Sequence, residues 1–256
     1  MRDAKMDRAR SLYYGMFSRL LTLSSDPKRY YELITLIETL KENPMDALSS
    51  QAFEALHAEL PSSSNVALMQ EFDTLFYAPQ TKTIRNSASY YAEGVENGRK
   101  RLEMQNFLAK TKIRRDEEKF SDYEDNIGFI FTVLSELAEL TALGEENYHN
   151  TAHCIFEEIL NDFVDDFART LYEHPEANIY KNVAVLLKSF IAFERIYLDV
   201  SLPVRKPVIQ KEGEPEEEIS EEERERRERN RALRALGPKK EDACDLFVAS
   251  NAEEEI

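Results

Sequence analysis

Residues 122–143 read DYEDNIGFIFTVLSELAELTAL, and this stretch decides the fold. Ile127, Ile130, Phe131, Leu134, Leu137 and Leu140 recur every three to four positions, the period of one helical face. Such a stretch is expected to form a deeply buried helix over Asp122–Leu143. On its N-terminal side, a polar stretch Gln80–Ser89 leads into Tyr90, Tyr91 and a long charged helix expected to run to about Lys119. On its C-terminal side, Asn147–Leu171 keeps the same period through Phe156, Ile159, Leu160, Phe163, Phe167 and Leu171. A last large helix is expected over Ile179–Leu198.

The N-terminal third repeats the pattern. Leu12, Tyr13, Met16, Phe17, Leu20 and Leu21 share one face of a first helix. Ser25-Asp26-Pro27 starts a second, since Asp caps and Pro suits the first turn. That helix would bury Tyr31, Ile34, Ile37 and Leu40 and stop at Asn43-Pro44, because the residue before proline avoids the helical region. A third covers roughly Ser50–Glu59, the run Pro61–Ser64 is a loop, and Leu68, Phe72, Leu75 and Phe76 mark a fourth that Pro79 ends. No alternation of β-branched residues between hairpin turns competes with these helices. The expected fold is all-α, a single globular helical bundle of about eight or nine helices.

Composition narrows the function. The 256 residues carry 49 acidic against 33 basic side chains, a formal net charge of -16, which disfavours a dedicated nucleic-acid binder. Seven glycines, and neither G-x-G-x-x-G nor a Walker loop, argue against dinucleotide or P-loop chemistry. Hydrolase chemistry lacks its motifs too, with no G-x-S-x-G and no H-E-x-x-H. Cys154 and Cys244 form no disulfide framework and fit a reducing compartment. Without a signal-peptide pattern or 18 consecutive apolar residues, the protein is expected to be soluble and cytoplasmic.

After Val204 the composition changes. Lys211–Ile256 holds 16 acidic and 9 basic residues. Glu222–Arg226, Glu223–Arg227 and Glu225–Arg229 are favourable i,i+4 pairs, each contributing about 0.2–0.5 kcal/mol. The expected organisation is an all-helical domain over 1–204 and an acidic, largely disordered tail over 205–256 with a solvated helix at about 220–236.

A metal site is the sharpest chemical candidate. His149, His153 and Glu157 share a helix face beside Cys154, and Glu146-x-x-His149 and Glu54-x-x-His57 have the spacing used by di-iron bundles. A complete site needs inward carboxylates from two further helices, and no glutamate interrupts an apolar stripe to supply them. The expectation is therefore no metal, no cofactor and no catalytic residue, with a helical metalloprotein or a general acidic adaptor as the alternatives.

The order of several short segments resembles a known family. Glu71-Phe72-Asp73-Thr74-Leu75-Phe76-Tyr77-Ala78-Pro79 is similar to the Glu-aromatic-x-x-Leu-Phe-x-x-Pro signature of the TorD/DmsD/NarJ chaperones. Ser87–Tyr91 resembles that family's Glu-Ser-x-Tyr region, and Tyr123-Glu124-Asp125-Asn126 falls where it has Pro-x-Asp-His. Ile155–Phe167 tracks its later Phe-Leu-x-x-His-Leu-x-x-Trp-x-x-x-Phe run. The similarity spans roughly residues 8–200. Tyr123 and Asn126 replace the proline and histidine, and Ile159 and Phe163 replace the later histidine and tryptophan. Asn126 can donate and accept hydrogen bonds but does not titrate near neutral pH.

The resemblance implies a non-enzymatic cytoplasmic chaperone for a molybdenum-containing oxidoreductase subunit and its twin-arginine leader peptide, delaying export until the cofactor is inserted. Glu71, Glu124 and Asp125 are then expected to pair with the leader's arginines, and Phe72, Tyr90, Tyr91 and Tyr123 to supply apolar contact beside Asn126. Asp125 is equally placed to cap the long apolar helix. The chain is expected to be a monomer, or a dimer swapped across Gln80–Ser89.

Overall fold

The computed structural model describes residues 3–203, apart from Leu23, Ser25, Gln80 and Lys119. The acidic tail over 205–256, with the helix expected at 220–236, lies outside the described residues. Among the described residues ten α-helices follow one another: α1 (Ala4–Leu20), α2 (Pro27–Lys41), α3 (Ala47–Glu59), α4 (Val66–Phe76), α5 (Ala88–Glu93), α6 (Arg99–Ala109), α7 (Ile127–Ala142), α8 (Asn147–Ile155), α9 (Val164–Glu173) and α10 (Ile179–Leu198). A π-helical turn, Phe156–Leu160, joins α8 towards α9. No strand occurs among the described residues, only one isolated antiparallel bridge between Ser87 and Asn126.

The core is built where α1, α7 and α10 meet. The Phe17 ring lies 5.3 Å from Phe131 and 5.6 Å from Phe190, and Tyr14 meets Phe190 edge-on at 4.9 Å. All four side chains are fully buried. Each contributes roughly 1.5–3 kcal/mol of apolar burial, before entropy is counted against it. Close approach of α7 to the end of α1 depends on Gly128. A Cβ there would lie 2.4 Å from the Leu21 carbonyl oxygen and from Thr22 Oγ1.

Local chemistry explains the boundaries. Asp3 and Asp26 cap α1 and α2 with their carboxylates, and Asp46 and Ser49 exchange bonds in a capping box that starts α3 three residues earlier than expected. Asn126 caps α7 by accepting from Gly128 N–H at 2.8 Å.

Four expectations are corrected. Tyr31 is 67% exposed; the buried stripe of α2 is Tyr30, Leu33, Ile34, Ile37 and Leu40, one residue out of phase with it. Leu140, expected in the buried stripe of α7, is only half-buried. The long charged helix expected up to about Lys119 is two short ones, α5 and α6, because Gly94 (φ 73°) and Asn97 (φ 59°) take left-handed conformations that end a helix. Asn147–Leu171 is also interrupted. In the π turn Asn161 N–H reaches back five residues to the Phe156 carbonyl at 2.8 Å. Lys100, from α6, donates to the Glu158 carbonyl and to Asp162 (2.8 Å) beside it.

Candidate functional site

Three of the four segments that carried the resemblance come together at one groove. Backbone bonds hold them: Ile84 N–H donates to the Leu75 carbonyl (2.8 Å), Ala88 N–H to the Asp125 carbonyl (2.9 Å), and Ile127 N–H to the Asn86 carbonyl (2.8 Å). The end of α4, the segment from Ile84 to Ser87 and the segment from Ser121 to Asn126 thereby enclose about 360 Å³. Phe76, Tyr77, Arg85, Glu96, Asp122 and Tyr123 are among the lining residues.

Two carboxylates face this space. Asp122 is half-buried, and its pKa is raised, first by burial and also by the nearby charge of Glu96. The Tyr77 hydroxyl, Asn86 and the Arg115 charge oppose that shift, and Asn126 Nδ2 donates to Asp122 Oδ2 at 2.7 Å. Glu96 accepts from the Ser87 hydroxyl, and Arg85 Nη1 stands 3.8 Å from it. Aromatic faces are shielded by cations at the rim: Arg85 lies 5.2 Å from the Tyr90 ring centroid and Arg101 4.2 Å from that of Tyr123.

The expected site residues divide into a rim and a support. Tyr90 and Tyr123 are each 38% exposed; Tyr123 lines the groove, and Tyr90 stands beside it against Arg85. Tyr91 turns inward, its ring 5.2 Å from Phe163, its hydroxyl donating to the Arg85 carbonyl at 3.1 Å, and burial raises its pKa. Phe72 is core, 4.6 Å from Phe76.

Glu71 is occupied elsewhere than at the rim. Its carboxylate accepts the N–H groups of Asn178 (2.8 Å), Ile179 (3.0 Å) and Tyr180 (2.9 Å), capping α10 where the helix dipole favours negative charge. Glu124 is buried between Arg101 Nε (2.7 Å) and Arg115 Nε (3.1 Å). Burial alone would raise its pKa; the two guanidiniums and a backbone N–H prevail and bring it to about 2. Asp125 is fully buried and accepts from Ser89 N–H at 2.9 Å. It therefore caps α5, while Asn126 caps α7. The carboxylates that line the groove are those of half-buried Asp122 and exposed Glu96, not those of Glu71, Glu124 and Asp125. No local spacing marks that pair, which the loop hydrogen bonds bring together.

The metal candidates do not converge. His153 Nε2 lies 3.1 Å from the Leu198 carbonyl and its Nδ1 lies 3.7 Å from Glu157. Glu54 is exposed and pairs with Lys41 at 2.8 Å, on α3. Among the described residues no group of three or more His, Cys, Asp or Glu side chains is placed to hold a metal ion. No helix of the described residues is long and apolar enough to cross a membrane.

The described residues thus form an all-helical body with an aromatic and acidic groove between its loops. The model of the nitrate reductase delta subunit family matches residues 42–169, half of the chain and all of the groove-forming segments. The chain belongs to this NarJ/TorD-type family of molybdoenzyme maturation chaperones, whose members are maturation proteins and not catalysts. Among solved structures, one described as a redox enzyme maturation protein from Archaeoglobus fulgidus is similar at 17% identity and a TM-score of 0.46. That alignment covers 72% of this chain and 93% of the other. No curated protein sequence matches.

Proposed function

We propose that the groove receives the twin-arginine leader of a molybdenum-containing oxidoreductase subunit, and that the chain holds that subunit in the cytoplasm until its cofactor is inserted. The observation that carries this reading is that Asp122 and Glu96 line one groove with the rings of Tyr77 and Tyr123, with Tyr90 beside it under the lining residue Arg85. An arginine side chain can offer two N–H groups to one carboxylate and its planar face to an aromatic ring. The leader's apolar stretch would follow the wall made by Phe76 and Ile84. Asn126 positions Asp122, and Glu71, Phe72, Tyr91, Glu124 and Asp125 hold the groove's walls from behind.

The reading takes the chain as a monomer. Ile84 is 3% exposed and its N–H is bonded within its own chain, so exchanging the segment between copies would first break that packing. Hydrogen exchange with and without a synthetic twin-arginine leader tests the location. Added protection should fall in residues 81–96 and 120–127. Protection confined to α2 and α3 would sink the assignment.

A further inference from the structure

A smaller cavity lies where the end of α1 meets the starts of α2 and α4, lined by Arg19, Thr22, Ser24, Arg29 and Asn65 over a floor that includes Leu68. Three buried polar atoms in this lining have no hydrogen-bond partner among the described residues: Arg19 Nε, Arg29 Nε and Thr22 Oγ1. Native proteins leave few such atoms without a partner, and a bound water or ion is a standard reason.

Both arginines are held from their outer ends. Arg19 donates to the Gly15 carbonyl (3.0 Å) and to Glu32 (2.7 Å), and Arg29 Nη2 contacts the Ser18 carbonyl at 3.3 Å. These contacts fix the guanidiniums, leaving both Nε–H groups in the cavity wall. Burial and then the charge of Arg19 lower the pKa of Arg29, so the two like charges act on one another; Glu32 and Asp26 offset this in part. The start of α4 adds to the field. Its N-cap Asn65 makes no side-chain cap bond, so the positive end of that helix borders the same space.

We propose that Arg19, Arg29 and Thr22 bind one small inorganic anion, with one of its atoms seated against the two Nε–H groups and the Thr22 hydroxyl. Water satisfies the donors but does nothing for the positive charge that Glu32 and Asp26 offset only in part, whereas an anion meets both needs. The enclosed space is about 20 Å³, room for about one water-sized atom. A halide fits whole; an oxyanion such as phosphate inserts one oxygen and turns the others towards Ser24 and Asn65. The site is independent of the leader-binding groove.

The test uses the full chain with inorganic phosphate, and separately with chloride, as probes at constant ionic strength. Titration calorimetry and thermal melting should both show saturable, one-site binding of at least one of the two anions. Arg29→Gln should weaken it tenfold or more, and Thr22→Val, which keeps the side-chain shape, should weaken it several-fold. Lys112→Gln, at an exposed basic position, should leave it unchanged. A rise in melting temperature that is the same in wild type and Arg29→Gln would be general salt exclusion and would overturn the proposal; so would the absence of saturable binding. If Arg29→Gln fails to fold, unchanged affinity in Thr22→Val overturns it alone.

Discussion

Arg10 and Glu194 meet in a two-bonded pair, Nε to Oε1 at 2.7 Å and Nη2 to Oε2 at 2.7 Å, across 184 residues of sequence and with both side chains buried. Asp7 accepts from Arg10 Nη1 at 2.8 Å, and the Tyr14 hydroxyl donates to Glu194. The Tyr197 ring covers the guanidinium at 4.4 Å. The cluster fastens α10 to α1.

Removing one member leaves a buried charge without its partner. Glu194→Ala should therefore cost about 3–5 kcal/mol in urea unfolding. The double change Arg10→Met with Glu194→Leu removes both charges and should cost less than Glu194→Ala alone. A larger loss in the double variant would show that the pair stabilises beyond its own desolvation.

Gly128→Ala should destabilise by about 1–3 kcal/mol, the usual cost of overpacking, because the new methyl meets backbone at the end of α1. Chemical denaturation measures it. An unchanged midpoint would show that α1 and α7 separate at no cost.

Glu124, buried behind the groove, makes the fold's stability depend on pH. Its folded pKa of about 2 lies below that of an unfolded glutamate, near 4.3. Its stabilisation is thus fully present above the unfolded value and is lost as pH falls through about 2. Glu124→Gln should be less stable than wild type at pH 7, and the difference should shrink as the pH is lowered from 5 towards 2. A difference constant across that range would contradict the Arg101–Glu124–Arg115 assignment.

Metal should not matter to this fold. Chelator should leave the melting temperature unchanged, and His149→Ala with His153→Ala should not alter metal content. A chelator-sensitive melting curve with near-unit metal content would favour the metalloprotein reading.

Most of the architecture was legible because its helices bury local, periodic stripes: α7 and α10 follow directly from Ile127–Leu137 and Ile179–Leu198. The errors have physical causes. Tyr30 and Tyr31 are adjacent aromatics, and only packing decides which one turns inward. The π turn at Phe156–Leu160 keeps every apolar residue buried, so the pattern hides the interruption. The break between α5 and α6 did have a local signal in Gly94 and Asn97-Gly98. The site was less legible. Tyr90 and Tyr123 reach the rim, but Glu71 and Asp125 bond to backbone 107 and 36 residues away, which no local motif announces. Asp122 and Glu96 line one groove because the segments at 84–87 and 121–126 pair and Ser87 bonds Glu96.

Leader binding should depend on pH with a definite sign. The pKa of Asp122 is raised in the free protein, by burial first and by Glu96 next. A bound arginine favours the ionised carboxylate, so affinity should be full at pH 7 and fall as the pH drops through the upper carboxylate range. Tighter binding at pH 4.5 than at pH 7 would contradict an arginine on Asp122.

The most direct measurement is calorimetric titration of a twin-arginine leader peptide, and of the same peptide with both arginines changed to glutamine, into wild type and Asp122→Asn with Glu96→Gln. The account predicts that the double variant binds the arginine peptide at least tenfold more weakly than wild type, and no better than it binds the glutamine peptide. Equal affinity of wild type and double variant for the arginine peptide would contradict it.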